Sequence, residues 1–424
     1  MIDKNNIPQG YKNSVVGIIP EEWEVKRLGE VCHDNGKYGI NAPAVPYEDK
    51  LPTYLRITDI DSNGNFIKED KMSVDNPCSS QFVLKEGDIV FARTGATVGK
   101  TYLYKTSDGE LVYAGFLICF SLNENEVVPY YIKAYTETSM YNKWVRVISQ
   151  RSGQPGINSF EYGSLGLPIP PLAEQKKIAE ILCTWDDAIE KQSKLIEKLE
   201  LRKRGLMQRL LTGKTRLPGF TEPWKKIKLG EIGSTYMGLS GKTKSDFENG
   251  NAKFISYVNV FSNEKVNIND FGTVKVNSNE KQNIVRYGDI FFTVSSETPN
   301  EVGMSSVLLD AVENTYLNSF CFGYRLNDFS VLEPVFASYI LRTDKFRSSI
   351  ILLAQGSTRF NLSKNEVMKL QIELPLLAEQ NAIAAVLTSA DKEIETQRKK
   401  IEALRQQKRG LMQQLLTGKI RVRI

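Results

Sequence analysis

The chain contains few of the residues that build disulfide frameworks, zinc sites or histidine-dependent active sites. Its 424 residues include five cysteines and a single histidine, His33. The cysteines are scattered and form no CxxC pair, so neither a disulfide scaffold nor a Cys/His metal site is expected. No Ser-His or Cys-His arrangement can be built around His33, which favours a structural or solvent-facing role for it.

Long hydrophobic runs are also missing. The N-terminal stretch MIDKNNIPQGYKN has no apolar signal core, and the longest apolar run, Phe116–Phe120, is far too short to span a bilayer. The formal net charge is only +5, so the totals alone do not indicate a nucleic-acid-binding protein. We expect a cytoplasmic globular protein of two or more domains that has no membrane partner.

What the chain does have is a long segment that occurs twice. Between Ala173 and Lys214, 25 of 42 positions are identical to the residues 205 positions further on, without a gap. Each copy lacks internal Pro, follows Pro and ends before Gly213 or Gly418, which predicts two helices of roughly 60 Å. A repeat of this period is an internal duplication of half the chain.

Apolar residues in both copies are spaced by four and three positions, which is the pattern of a coiled-coil seam. The seam of the first copy is Ile178, Leu182, Trp185, Ile189, Gln192, Ile196, Leu199, Lys203, Leu206 and Leu210; that of the second is Ile383, Leu387, Ala390, Ile394, Gln397, Ile401, Leu404, Lys408, Leu411 and Leu415. Each helix is the simplest partner for the other. Two-fold symmetry between the copies would make the helices antiparallel and place the globular regions at opposite ends.

Polar residues interrupt the seam at matching places, Gln192 with Gln397 and Lys203 with Lys408. One interpretation is that these side chains lie at partly hydrated ends or edges. The other is that they fix the register of the two helices at some cost in stability.

The two globular regions differ more than the helices but share a skeleton, and each is predicted to be a mixed α+β domain. Both have a Gly-Asp turn before a short apolar strand, at Gly87–Phe91 and Gly288–Phe292. Further predicted strands are Tyr54–Ile57, Phe254–Tyr257, Leu111–Leu122 and Leu317–Leu326, and helical spacing occurs at Val128–Trp144 and Leu332–Arg347. Each region ends in a polar loop, RSGQPGIN or QGSTRFN, before the long helix.

No motif in the sequence predicts catalysis. GATVGKT at Gly95–Thr101 is one residue shorter than a phosphate-binding GxxxxGK[ST] loop, and the second half has no Gly-Lys there. Asp75–Cys78 lacks the second Pro and the aromatic of a [DN]PP[FY] amino-methylation motif, and no GxGxxG follows a strand. We therefore predict no enzyme and no cofactor or metal site within this chain.

Nucleic-acid binding is the function that these residues favour, because basic and hydrogen-bonding residues mix with aromatics in predicted loops of both halves. Arg, Gln, Asn, Ser and Thr read base edges, whereas Lys and Arg hold phosphates. The candidates in the first half are Lys37, Tyr38, Arg93, Thr94, Lys100, Arg146, Gln150, Arg151, Gln154 and Asn158; those in the second are Lys242, Lys244, Tyr257, Asn259, Ser295, Arg359 and Asn361. The prediction rests on their concentration at matching loops.

The order of these segments resembles the specificity subunit of type I restriction-modification systems over essentially the whole chain. The resemblance rests on GYKNSVVGIIPEEWEVKRLGEV, the GDIVFARTGATVGK turn, the QPGIN loop, PIPPLAEQKKIAEIL and KRGLMQRLLTGKTRLPGF, with recurrence in the second half. The second half departs from the family's turn after Gly288-Asp289, where no Gly-Lys follows.

This resemblance implies an α+β architecture of two target recognition domains, residues 1–170 and 214–375, joined by conserved long helices, 171–213 and 376–424. The helices would form an antiparallel coiled coil with pseudo-two-fold internal duplication. The domains would read two halves of a double-stranded DNA target across an unread spacer. Two modification (methyltransferase) subunits, and restriction subunits through them, would supply adenine methylation and cutting, with S-adenosylmethionine, ATP and Mg on those partners.

Half-site centres about one helical turn (~10 bp) apart, with each domain covering ~3–5 bp, would leave an unread gap of ~5–8 bp. The alternative is a non-catalytic coiled-coil scaffold that presents two divergent protein- or ligand-binding modules. Steep salt dependence of DNA retention would distinguish the two hypotheses.

Overall fold

The computed structural model of the protein describes residues 7–151 and 153–424 and divides into two compact units. Unit 1 is Met1–Ser193 with Lys399–Ile424, and unit 2 is Lys194–Arg398. Residues 1–6, and Ser152 of the predicted RSGQPGIN loop, lie outside the described residues. Each unit takes part of both long helices, so the predicted limits of the recognition domains stay predictions.

Short strands and short helices build the globular part of unit 1. The strands are β1 Tyr11–Ser14, β2 Gly17–Pro20, β3 Glu24–Arg27, β4 Lys37–Tyr38, β5 Val45–Pro46, β6 Thr53–Leu55, β7 Met72–Ser73, β8 Asp88–Ala92, β9 Thr101–Leu103, β10 Leu111–Tyr113, β11 Leu117–Ser121 and β12 Gly166–Ile169. The helices are α1 Pro129–Tyr135, α2 Ser139–Ile148 and α3 Ser159–Gly163, followed by the long helix α4 Leu172–Leu210.

Unit 2 repeats this arrangement. Its strands are β13 Lys225–Lys228, β14 Gly233–Met237, β15 Ala252–Ile255, β16 Phe271–Val274, β17 Ile290–Thr293, β18 Ser295–Ser296, β19 Ser305–Val307, β20 Thr315–Leu317, β21 Cys321–Leu326, β22 Phe360–Asn361 and β23 Gln371–Leu374. Its helices are α5 Leu229–Ile232, α6 Tyr257–Ser262, α7 Pro334–Ile340, α8 Asp344–Ile351 and α9 Lys364–Lys369, followed by the long helix α10 Leu377–Leu415.

The same antiparallel sheet lies at the centre of each unit. Its strand order is β4-β11-β8-β9 in unit 1 and β14-β21-β17-β19 in unit 2. The central strands β8 and β17 are completely buried, as expected for apolar runs that follow a Gly-Asp turn. Gly87 and Gly288 supply that turn with φ of 84° and 83°, a left-handed conformation that favours glycine. A parallel pair, β6 with β10 or β15 with β20, recurs beside each sheet.

Several segments differ from the sequence prediction. The apolar runs Leu111–Leu122 and Leu317–Leu326 are each two strands, because tight turns interrupt them at Ala114–Leu117 and Asn318–Cys321. The predicted helical regions are also divided, since Thr138 and Thr343 cap new helices within them. In the predicted strand Phe254–Tyr257, Ser256 instead caps α6 and Tyr257 begins it.

The long helices confirm the predicted antiparallel seam. In unit 1 the start of α4, with Ile178 and Leu182, shares a core with Leu415 near the end of α10. In unit 2 the relation is reversed, because Leu210 shares a core with Ile383 and Leu387. Every predicted seam residue is buried or half-buried. Gly213 and Gly418 follow the helices with φ of 68° and 70°, as predicted for helix-terminating glycines.

Equivalent polar contacts attach each long helix to its globular part. Gln175 accepts from the Val128 amide (2.9 Å) and donates to the Pro170 carbonyl (3.0 Å), and Gln380 repeats this geometry in unit 2. Arg421 forms an ion pair with buried Glu174 (2.6 Å). In unit 2, Arg216 binds buried Glu379 in the same way (2.7 Å).

The lysines that interrupt the seam form ion pairs between the two helices. Lys203 contacts Asp391 at 2.7 Å in unit 2, and Lys408 contacts Asp186 at 2.6 Å in unit 1. Each aspartate also accepts a hydrogen bond from a tyrosine of the globular part, Tyr339 or Tyr130. A charge pair at one fixed position favours one register over a slip by a heptad. The structure therefore supports the register interpretation for the lysines.

Candidate nucleic-acid interface

The predicted binding loops meet at the carboxyl end of the central strand in each unit. In unit 1, Arg93 donates its amide to the Phe116 carbonyl (3.1 Å), and its own carbonyl accepts from the Ile157 amide (2.9 Å). In unit 2, Val294 makes the same two bonds, to Phe320 (3.0 Å) and from Leu362 (2.9 Å). One backbone position thus joins the loop after the strand to the loop before the long helix.

Backbone pairing extends this junction by further residues. Thr94 forms a bridge with Gly156, and the Gly95 amide donates to the Pro155 carbonyl at 3.0 Å. In unit 2 the pairing is longer, because β18 and β22 form a two-residue antiparallel ladder. We call these regions the loop-pair surfaces. They comprise Tyr38, Arg93, Thr94 and Gln154 in unit 1, and Tyr257, Ser295, Arg359 and Asn361 in unit 2.

Aromatic stacking organises the loop-pair surface of unit 1. The Arg93 guanidinium lies over the Tyr38 ring, 4.7 Å from its centroid, and the Tyr38 hydroxyl accepts from the Ser159 amide at 3.2 Å. The buried Nε of Arg93 has no hydrogen-bond partner among the described residues. Gln154 lies beside Gly95, where a Cβ would come within 2.9 Å of its amide nitrogen. Within residues 7–151 and 153–424, Arg93 is held by stacking on Tyr38 and forms no ion pair, so its charge is available to a ligand.

A tyrosine and an arginine also lie together in unit 2. The Tyr257 hydroxyl donates to the Ser295 carbonyl at 2.9 Å. Burial raises the pKa of Tyr257, and the nearby charge of Arg359 acts in the opposite direction. Arg359 and Asn361 are exposed, whereas the buried Ser295 hydroxyl has no partner among residues 7–151 and 153–424. The exposed side chains can donate to phosphate oxygens or base edges.

Other candidates in unit 1 have structural partners. Arg151 pairs with Glu161 (2.5 Å) and donates to the Ile148 carbonyl (2.8 Å). Asn158 caps α3 by accepting from the Glu161 amide at 2.9 Å. Lys100 donates to the Ile60 carbonyl at 2.7 Å. These side chains are expected to shape the loops, and a DNA contact would have to compete with the bonds they already make.

Four further candidates, Lys37 in unit 1 and three residues in unit 2, differ in how far their side chains are exposed to solvent. Lys37 is exposed and pairs with Asp34 at 2.6 Å. Asn259 is fully buried, and its amide donates to the carbonyls of neighbouring loop residues, so the structure does not place it on a binding surface. Lys242 is almost covered and pairs with Glu280. Lys244 is exposed at the start of a short 3-10 helix.

Sequence reasoning missed two exposed aromatics at the loop-pair surfaces. Phe116 and Phe320 occupy the tight turns that interrupt the predicted strands, and their side chains are 59% and 63% exposed. Reading each apolar run as one strand placed both rings in the core. The small or polar residues before each Phe, Ala114-Gly115 and Asn318-Ser319, were the signal for a turn.

Neither a metal cluster nor a membrane span is found in the described part of the chain. No group of three or more His, Cys, Asp or Glu side chains in residues 7–151 and 153–424 is arranged to hold a metal ion. None of the helices among these same residues is both long and apolar enough to cross a bilayer.

Comparison with known proteins defines the family. The family described as type I restriction modification DNA specificity domain matches residues 20–201 and again 221–406. The chain therefore belongs to this family and carries two copies of its domain, which confirms the predicted duplication. It is the DNA-specificity component of a type I system, which binds DNA and assembles with other subunits of that system; the prediction that it is not itself the enzyme is confirmed by this membership.

Relatives of similar length support the assignment. Two specificity subunits of Methanocaldococcus jannaschii type I restriction enzymes, MjaX and MjaVIII, are 27% and 25% identical to the chain. The alignments cover 98% and 96% of this chain and 97% and 94% of those proteins. A chain from a structural study of type I R-M complex assembly and conformational transition has the same fold, with a TM-score of 0.58 at 19% identity, over 95% of this chain and 99% of that one. The scaffold alternative is not favoured.

Proposed function

We propose that the two loop-pair surfaces read the two halves of a bipartite DNA target. The observation that carries this proposal is the recurrence of one hydrogen-bonded junction, at Arg93 and Val294, with different side chains around it. The same backbone frame presents Arg93 and Gln154 in one unit and Arg359 and Asn361 in the other. A conserved frame with changed donors and acceptors suits two half-sites of different sequence.

The chain would direct chemistry that its partners perform. In this proposal two modification subunits bind the specificity subunit and methylate adenine with S-adenosylmethionine. Restriction subunits join through them and use ATP and Mg. The long helices would set the distance between the half-sites. The complex would act in the cytoplasm, where the DNA lies.

Sequencing of methylated DNA tests this assignment. The chain is expressed with its modification subunits in a host without adenine methylation, and modified positions are mapped across the genome. We expect one motif of two constant half-sites around an unread gap. Arg93→Ala should relax one half-site and Arg359→Ala the other, each by the loss of about 1–3 kcal/mol of discrimination per base contact.

The Phe329→Ala variant is a matched control, because Phe329 is partly exposed next to Gly288, at the opposite end of the strand from Ser295. It should leave both half-sites unchanged. Methylation without a bipartite motif, or equal loss at both half-sites in either arginine variant, would contradict the proposal.

A further inference from the structure

An exposed phenylalanine occupies the same turn in both units. Phe116 is the third residue of a turn closed by a hydrogen bond from the Leu117 amide to the Ala114 carbonyl (2.8 Å). Phe320 is the third residue of the turn in which the Cys321 amide contacts the Asn318 carbonyl (3.4 Å). More than half of each side chain is exposed to solvent. These rings therefore contribute little to the cores beneath them.

The backbone holds both rings in place. The carbonyl of each Phe accepts the amide of the residue that follows the central strand, Arg93 or Val294. In unit 2 the buried Asn318 side chain also accepts from the Phe320 amide at 2.8 Å and donates to the Ile255 carbonyl at 3.0 Å. Each turn is thus fixed to the sheet, so presenting the ring to a ligand costs little further backbone ordering.

The position of the rings indicates what they contact. Single exposed apolar residues are common on protein surfaces and need no explanation individually. Here the globular parts have diverged in sequence, yet an exposed Phe recurs at the equivalent turn of each unit. The carbonyl of this Phe accepts from Arg93 or Val294, the same residue that accepts from the second loop of the loop-pair surface. The first of these turns belongs to the same loop-pair surface as Arg93, whose guanidinium lies over Tyr38, and Gln154, which lies beside Gly95. A ligand that matches both has a large apolar face and negative charge, which are properties of stacked bases on a phosphate backbone.

We propose that Phe116 and Phe320 each insert against a base step of the half-site read by their own unit. The ring would stack on a base face and partly open the step, as apolar wedges do in other DNA-binding proteins. This inference rests on the proposed function, since it requires DNA at both loop-pair surfaces. Beyond that function, Phe116 and Phe320 would contact bases without hydrogen bonds and would select base steps that unstack easily.

Fluorescence of 2-aminopurine tests the insertion directly, because this base brightens when it is unstacked. The complex with modification subunits is mixed with duplexes that carry its mapped target and one 2-aminopurine at successive positions of each half-site. The methylated adenine and its neighbours are left out, because a methyltransferase unstacks the base that it modifies. The wild-type complex should brighten the probe at one step in each half-site. Phe116→Ala should abolish one of these signals and Phe320→Ala the other. Each should weaken binding of the target by about fivefold or more.

Controls separate stacking from structure. Phe116→Tyr and Phe320→Tyr keep a ring and should retain the signals, and Phe329→Ala should retain both. The inference is overturned if the complex methylates its target but shows no probe signal, or if the alanine variants leave the signal unchanged. It is also overturned if those variants fail to assemble with the modification subunits, since the rings would then contact protein. Absence of any DNA binding by the wild-type complex would instead refute the proposed function.

Discussion

Asp391 accepts three polar contacts where the two long helices meet in unit 2. Its carboxylate accepts from Lys203 (2.7 Å), Lys265 (3.0 Å) and Tyr339 (2.6 Å), and its side chain is 28% exposed. Asp391→Asn keeps the shape but removes the charge and one acceptor oxygen. Two ammonium groups then face a neutral amide, although Lys203 keeps Glu264 at 3.2 Å.

The expected loss in the free energy of unfolding follows from this geometry. A hydrogen bond to a charged group contributes about 1.5–3 kcal/mol, and breaking a fully buried ion pair costs about 3–5 kcal/mol. Because Asp391 is partly exposed and Lys203 retains a second carboxylate, we expect a loss of about 2–3 kcal/mol for Asp391→Asn. Asp186→Asn is the matched control in unit 1. Asp186 is 43% exposed and pairs with Lys408, so it should lose about 1 kcal/mol.

Urea unfolding at pH 7, followed by circular dichroism and by hydrogen exchange, measures both variants. Burial would raise the pKa of Asp391, but hydrogen bonds from Lys203, Tyr339 and Lys265 lower it below its ordinary value. The stabilisation is therefore present above the unfolded pKa of about 3.9 and is lost as the pH falls through the folded pKa, so the difference from wild type should shrink below about pH 4. Equal losses in the two variants, or no loss in Asp391→Asn, would refute this reasoning.

Two further predictions concern the glycines inside the long helices and the buried binding candidate Asn259. Gly205 and Gly410 lie inside the long helices with open space where a Cβ would stand. Gly205→Ala and Gly410→Ala should therefore each stabilise the chain by about 0.5–1 kcal/mol, measured by thermal unfolding. Destabilisation would show that this space is occupied. Asn259→Ala should lower the stability of unit 2 by about 1–3 kcal/mol, because it leaves two loop carbonyls without their donor. The methylation motif of the folded protein should not change; a changed motif would show that Asn259 contacts DNA.

The long helices could be predicted in detail because their signals are local. Heptad spacing, the absence of Pro and the terminal glycines predict the helices and their seam, and the structure has Leu172–Leu210 and Leu377–Leu415. The partners of Lys203 and Lys408 could not be predicted in this way. They depend on which aspartate faces each lysine after the chain has folded.

The loop-pair surfaces were only partly predictable, because surface exposure depends on turns and on tertiary contacts. The sequence identified the loops containing Arg93, Gln154 and Arg359, and the structure brings those loops together in pairs. Asn259 has the same chemistry as a base-reading residue, but its amide is committed to nearby carbonyls. Phe116 appeared as part of an apolar strand, because composition alone did not reveal the turn beneath it.

The most direct test of the account shortens both long helices by one heptad. Deleting residues 190–196 together with 395–401 keeps the seam in phase and removes about 10 Å, or about 3 bp of duplex length. Methylated sites are then mapped in a strain that carries this chain with its modification subunits. We predict that both half-sites keep their sequences while the unread gap becomes shorter. An unchanged gap, or a change in either half-site, would contradict the claim that the helices measure the distance between two independently read sequences.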